Sequence, residues 1–304
     1  MQTWGPLYPE DYKFKYPKAG EKNALVSIHV VDLASKKVQK MDAGPEADQY
    51  LPRLYWTQDP NQLAFIRLNR LQNQLDLLQA NASTGESKLV LSETSATYVD
   101  LDYNDDLQYL SDGKSFIRTS EKDGFKHIYH HQVDGTLIRQ VTSGPWEVSS
   151  LVGLDEKGKK LYYLSTEKSP LERQLYVIQL DGKGKKSLSP LAGTYSINMS
   201  PDHQFFIAYH TSAASPVTVT LNEASGKTLK VLEDNQALKD RMATFALGKK
   251  EFFSFPTVDG TTLNGYLIKP ADFDPNKKYP VLMYVYGGPG SQNVLNSWGG
   301  SRDF

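Results

Sequence analysis

The sequence predicts an all-β molecule, a partial β-propeller of about four full four-stranded blades plus part of another, followed by the first strands of an α/β domain. Three observations predict it. Short β-rich runs alternate with polar turns, and few stretches keep a helical period beyond two turns. One apolar strand recurs, as Leu63-Ala64-Phe65-Ile66, Phe116-Ile117, Leu161-Tyr162-Tyr163-Leu164 and Phe205-Phe206-Ile207-Ala208. Its markers Phe65, Phe116, Tyr162 and Phe206 fall at steps of 51, 46 and 44 residues (65 to 116, 116 to 162, 162 to 206), the period of a blade rather than of a sandwich. Third, the pattern changes after Val231 and reaches Val281-Leu282-Met283-Tyr284-Val285, apolar on consecutive positions as a strand buried on both faces requires.

Taken in order, Ala24 to Val31, a turn at Ala34 to Lys37 and Val38 to Met41 read as the outer hairpin of a blade whose inner strands would precede Met1. Each marker strand then follows a similar turn: Asp59-Pro60-Asn61, Ser111-Asp112-Gly113, Asp155-Glu156-Lys157-Gly158 and Pro201-Asp202-His203. Each precedes a further strand: Gln74 to Leu78, Lys126 to Tyr129, Gln174 to Ile178 and Val217 to Val219. A short helix is expected from Asn235 to Ala243, with Asn235 as its cap. Glu251 to Phe255 and Leu263 to Ile268 read as a hairpin with a two-residue Asp259-Gly260 loop. Pro270 to Lys278 is a polar connection. The domain boundary is therefore expected near 232, with a propeller in 1–232 and the start of a second domain in 233–304.

The totals exclude several functions. Lys plus Arg is 34 against Asp plus Glu at 35, so no basic face is offered to nucleic acid or anionic lipid. With no cysteine there is no disulfide, thiolate metal site or cysteine nucleophile, which leaves the compartment open. Met1 to Pro6 lacks the charged and apolar regions of a signal peptide, and no apolar run approaches membrane-spanning length, so this segment is read as soluble.

The chemistry lies after the apolar run, in Tyr286-Gly287-Gly288-Pro289-Gly290. A tyrosine hydroxyl is neutral at pH 7 and donates one hydrogen bond. Beside a carbonyl under attack it would stabilise the developing oxyanion, an interaction worth on the order of 3 kcal/mol. The glycines would let the backbone turn sharply beside a substrate. The same residues also read as aromatic strand positions, Tyr284 and Tyr286, followed by an ordinary turn.

Tyr286 to Gln292 after Lys277-Lys278-Tyr279-Pro280 resembles the start of the catalytic domain in the dipeptidyl peptidase IV branch of the prolyl oligopeptidase family. Tyr16-Pro17-Lys18-Ala19-Gly20, Ser111-Asp112-Gly113, Gly144-Pro145-Trp146-Glu147-Val148 and Val231 to Asn235 with Leu238 resemble that branch too, in order along nearly the whole chain. The resemblance implies an eight-bladed propeller capping an α/β-hydrolase domain with a Ser-His-Asp triad, and cleavage of X-Pro or X-Ala dipeptides from peptide amino termini. It makes Tyr286 the oxyanion-hole donor and implies no cofactor. A homodimer is the branch's common state, and a bacterial periplasmic or extracytoplasmic location is slightly favoured. No G-x-S-x-G is present, so the triad is expected beyond Phe304 and this segment alone is expected to be inactive. The pair of glutamates that holds the substrate's amino terminus is expected before Met1. The family's substrate-contacting arginine should fall near Leu101 to Tyr103, where none stands.

Other candidates read as structural. Glu121, Glu147 and Glu172 look like isolated surface or turn residues. His127 and His131 would share one strand face and His130 the other, at solvated or edge positions rather than around a metal. Asn81-Ala82-Ser83 and Asn198-Met199-Ser200 match the glycosylation triplet and read as turns. The 18 tyrosines are expected to fill interfaces between blades. The alternatives are a propeller serving as a binding or scaffold module, and an acylaminoacyl peptidase or oligopeptidase of the same family.

Overall fold

The computed structural model describes residues 2–5, 7–286, 288 and 290–300. The four repeats are four antiparallel meanders of four strands each, the unit of a β-propeller. They are β5 to β8 (Gln49–Trp56, Gln62–Asn69, Gln74–Asn81, Ser87–Thr94) and β9 to β12 (Leu107–Tyr109, Ser115–Ser120, His127–Gln132, Leu137–Gln140). The other two are β13 to β16 (Val148–Asp155, Lys160–Ser165, Gln174–Gln179, Lys186–Ser187) and β17 to β20 (Thr194–Met199, Phe205–Ser212, Ser215–Glu223, Thr228–Glu233). Two hairpins precede them, β1 with β2 (Gln2–Trp4, Pro9–Asp11) and β3 with β4 (His29–Val31, Val38–Lys40). A short helix α1 (Gln236–Met242) and a hairpin of β21 with β22 (Lys250–Pro256, Thr262–Ile268) follow.

Every marker residue lies on the second strand of its sheet, in β6, β10, β14 or β18. That strand is hydrogen-bonded on both sides, and in β10 every residue is buried, the polar Ser115, Arg118, Thr119 and Ser120 together with Phe116 and Ile117. The turn before it uses one device four times. A carboxylate oxygen of Asp59, Asp112, Asp155 and Asp202 accepts from the backbone N–H of Asn61, Lys114, Gly158 and Gln204, at 2.9, 2.8, 2.9 and 3.1 Å.

The chain divides into two compact units. The first comprises Met1–Leu101 with Asp112–Lys114 and Val133–Thr136. Here Ile28 and Met41, flanking the β3–β4 hairpin, pack on Leu63 and Phe65 of β6 and on Leu78 and Ala80 of β7. The expected hairpin is present but shorter than predicted: Ala24 to Ser27 lie outside any strand, and Leu25 and Val26 are exposed. Arg67 and Asp76 pair across β6 and β7 at 2.7 Å, and Arg67 Nη1 reaches back to the Ala43 carbonyl.

The second unit contains the remaining three meanders, α1 and the last hairpin. Ile117, Ile128 and Val141 of one sheet meet Val148, Leu161 and Ile178 of the next in a single core. Its aromatic members stack in series, Trp146 on Tyr163 and Tyr163 on Tyr176, with ring centroids 6.3 and 5.7 Å apart. A second core joins Tyr162, Leu164, Leu175 and Leu188 to Tyr195, Phe206 and Ala208. Tyr162, Tyr163, Tyr176 and Tyr195 thus sit in cores that join adjacent sheets, whereas Tyr8, Tyr12, Tyr16, Tyr98 and Tyr284 are exposed, so the tyrosines fill such joints only in part.

Several expectations are corrected. His127 and His131 are buried rather than solvated, because β11 is an inner strand of its sheet. His127 Nε2 donates to the Gly144 carbonyl, and its Nδ1 accepts from Thr142 Oγ1, both at 3.0 Å, an arrangement that the neutral Nε2–H ring satisfies. Asn235 occupies the cap position without capping: its backbone is left-handed (φ 54°) and its amide donates to the Val217 carbonyl at 2.6 Å. The β21–β22 loop is longer than two residues, since Thr257 and Thr261 still pair by backbone and Gly260 takes the left-handed position of a three-residue hairpin. Asn81 is the last residue of β7 and its side chain closes the turn that follows, whereas Asn198 lies inside β17. Val281 to Val285 forms no strand and its side chains are 78–97% exposed, because no partner strand flanks it among the described residues. Among the described residues no helix is long and apolar enough to cross a membrane.

Candidate functional site

The site grows from the segment that leaves β22. Tyr286 is exposed. Its ring lies against Gly288: a Cβ built there would stand 2.7 Å from Tyr286 Cε1 and 2.9 Å from its hydroxyl oxygen. The missing side chain at 288 is what makes room for the ring. Gly290 is left-handed (φ 69°), and Ser291 N–H donates to the Gly288 carbonyl at 3.3 Å, so the chain reverses directly behind the tyrosine. Gly287 and Pro289 of this motif lie outside the described residues.

The chain beyond the reversal is held on the third and fourth meanders. Gln292 donates to the Pro170 carbonyl at 2.8 Å and accepts from Arg173 Nη2 at 2.6 Å. Asn296 bonds the Leu171 carbonyl through its backbone N–H and Glu172 Oε1 through its amide, both at 2.8 Å. Trp298 N–H donates to Thr211 Oγ1 at 3.1 Å, and Lys250 Nζ donates to the Ser297 carbonyl at 3.3 Å.

The partners of this segment belong to a polar belt. Glu172 is buried, with Gln174 Nε2 on its second oxygen at 3.0 Å. Arg173 approaches Glu147 at 3.7 Å. Burial, reinforced by a hydrogen bond to Glu147 and the negative charge there, raises the Tyr103 hydroxyl far above its ordinary pKa, so it remains a donor. Lys126, buried at 4% side-chain exposure, pairs with Asp106 at 2.9 Å, also donates to the Tyr103 carbonyl and lies over the Tyr103 ring. Glu121 accepts from Asn104 at 2.9 Å. Of the glutamates read from the sequence as isolated surface or turn residues, Glu121 is exposed at a turn, its carbonyl accepting from Gly124 N–H, whereas Glu147 and Glu172 are corrected. Glu147 and Glu172 are partners in a network, and Glu172 is buried because Gln174 and Asn296 satisfy it from two sides.

Where an arginine was expected, Leu101 is buried, Asp102 is exposed and Tyr103 joins the belt. Sequence reasoning singled out Tyr286 but gave no role to Arg173, Gln292 or Asn296; Gln292 closes the quoted Tyr286 to Gln292 segment, while Arg173 and Asn296 stand in no motif. An open cavity of about 490 Å³ lies beside α1 and the last hairpin, lined by Met242, Leu247, Ile268 and Trp298 among others; Tyr286 is not part of its wall. Among the described residues no group of three or more His, Cys, Asp or Glu side chains is arranged to hold a metal ion.

Comparison with known proteins gives a consistent result. Residues 2–217 match the family described as the dipeptidyl peptidase IV N-terminal region. The dipeptidyl peptidase 4 of Trichophyton rubrum is 31% identical over all of this chain, which covers 40% of that protein. The dipeptidyl peptidase 4 of Arthroderma otae is 30% identical over 98% of this chain and 39% of its own length. The crystal structure of Porphyromonas gingivalis dipeptidyl peptidase 4 superposes with a TM-score of 0.89 at 40% identity, covering 96% of this chain and 41% of that one. The chain thus spans about two fifths of the length of the relatives it matches.

Proposed function

The chain belongs to the dipeptidyl peptidase IV family, which it matches over that family's N-terminal region, and from that membership we propose that it is the substrate-gating part of a serine-type dipeptidyl peptidase. In this reading residues 1–232 are the propeller and 233–304 begin an α/β-hydrolase domain. The full-length protein, acting as a homodimer, removes X-Pro or X-Ala dipeptides from the amino termini of peptides. A serine attacks the carbonyl after the second residue, a histidine takes its proton and returns it to the leaving amine, and an aspartate orients the histidine. Those three groups come from the part of the protein outside this chain. Tyr286 donates a hydrogen bond from its hydroxyl to the oxyanion of the tetrahedral intermediate. The propeller restricts access and sets the distance to the substrate's amino terminus.

The observation that supports this reading most is the end-to-end match to dipeptidyl peptidase 4 proteins, with the Tyr286 loop inside the matched length. The test uses the full-length protein and a Gly-Pro chromogenic amide, with a free or a blocked amino terminus. The free substrate should turn over, the blocked one should not, and a serine-reactive phosphonate should abolish turnover. Equal turnover of both substrates would move the protein to an acylaminoacyl peptidase or oligopeptidase reading. Tyr286→Phe should lower kcat about a hundredfold with KM little changed, the effect of removing one oxyanion donor. An unchanged kcat would remove the tyrosine from the mechanism.

A further inference from the structure

We propose that Asn296 is a positioning residue that clamps the Tyr286 loop to the ends of the third and fourth meanders; the proposal rests on Tyr286 acting as the oxyanion donor. All four polar groups of Asn296 are engaged, and their partners come from three different places. Its backbone N–H and side-chain amide bond the Leu171 carbonyl and Glu172 Oε1 in the connection between β14 and β15. Its backbone carbonyl accepts from Thr194 Oγ1 at 3.2 Å, at the start of β17. Its side-chain oxygen accepts from the Ala213 N–H at 3.0 Å, in the turn between β18 and β19. A residue bonded in this way has one place to sit.

Gln292 adds a second anchor four positions earlier, between Arg173 and the Pro170 carbonyl. Only six residue steps separate Gln292 from Tyr286, a reach of at most about 21 Å, and the Gly288–Ser291 turn shortens it. Fixing 292 and 296 therefore confines where the Tyr286 hydroxyl can be. Tyr286 itself is exposed, and this anchor is what ties its segment to the meanders.

The clamp also has a chemical signature. Glu172 Oε1 is buried and takes its hydrogen bond from the Asn296 amide. Replacing that donor with a second carboxylate sets two like groups against each other, which favours a shared proton and raises the apparent pKa of the pair. Asn296→Asp should thus loosen the loop at neutral pH and restore it as the pair takes up one proton.

The test is a double-mutant cycle in the full-length protein, read as kcat and KM on a Gly-Pro chromogenic amide. Asn296→Ala should lower kcat about ten- to a hundredfold, the cost of a small displacement of a catalytic group, with a much smaller change in KM. In a Tyr286→Phe background the same substitution should cost almost nothing, because the group it positions is gone. Asn296→Asp should show a kcat that recovers toward the unsubstituted value as pH falls below neutral, and this variant carries the test if the alanine protein does not fold. An equal loss from Asn296→Ala in both backgrounds, no loss at all, or an Asn296→Asp profile without acid recovery overturns the clamp and leaves the Tyr286 reading intact. A Tyr286→Phe protein with unchanged kcat overturns the reading itself, and the clamp with it.

Discussion

Asp76 shows how a single buried carboxylate is kept charged. Burial pushes its pKa up, but Ser92 Oγ at 2.7 Å, the Arg67 guanidinium at 2.7 and 3.1 Å and Gln74 Nε2 at 3.2 Å outweigh that, and the carboxyl rests below its ordinary value. A folded pKa below the unfolded one means that the stabilisation is present above about pH 4 and is lost as pH falls through the folded value. Asp76→Asn should cost about 1–3 kcal/mol at pH 7, because Arg67 loses its carboxylate. The same substitution should flatten the acid limb of the stability curve, which urea unfolding at pH 7 and pH 3 would measure. At this scale the sequence was least informative. Tyr286 announced itself through its glycines, whereas Glu172 and Asn296 find each other across 124 residues and carry no local mark.

Elements were far more legible, because their causes are local. The second strands are legible because each carries a short apolar run such as Phe65-Ile66 or Phe116-Ile117 behind a turn in which an aspartate carboxylate accepts from a nearby backbone N–H. The errors arose where tertiary contacts intervene. Asn235 has the composition of a helix cap, yet Asp234 Oδ1 takes the Gln236 N–H while Asn235 is drawn to the Val217 carbonyl on β19. Asn235→Ala would lose that bond and put a residue less tolerant of the left-handed region than asparagine at φ 54°, together costing about 2 kcal/mol. Asn235→Gly keeps the backbone geometry and should cost less. Chemical denaturation midpoints of the two variants would separate them.

At the scale of the whole molecule, repeat spacing was enough to predict a propeller, since each blade repeats the same solution. The strand expected at Val281 to Val285 is not formed, because a strand buried on both faces is made by its neighbours as much as by its own residues. Five successive exposed apolar side chains make the isolated 304-residue polypeptide prone to self-association. Leu282→Lys with Val285→Lys should shift it toward monomer, as light scattering across a concentration series would report.

The hydrogen bonds of Asn296 also fix an order of events in folding. Its side-chain and carbonyl contacts close loops of 124, 102 and 83 residues, whereas every meander pairs strands that are adjacent in the chain. Closing a long loop costs more entropy and must wait for the surface on which it lands. The blades therefore assemble first and the tyrosine segment docks last. By the same reasoning it should be the first part of this unit to come loose when the protein is warmed, which early loss of amide protection at Asn296 in hydrogen exchange would report.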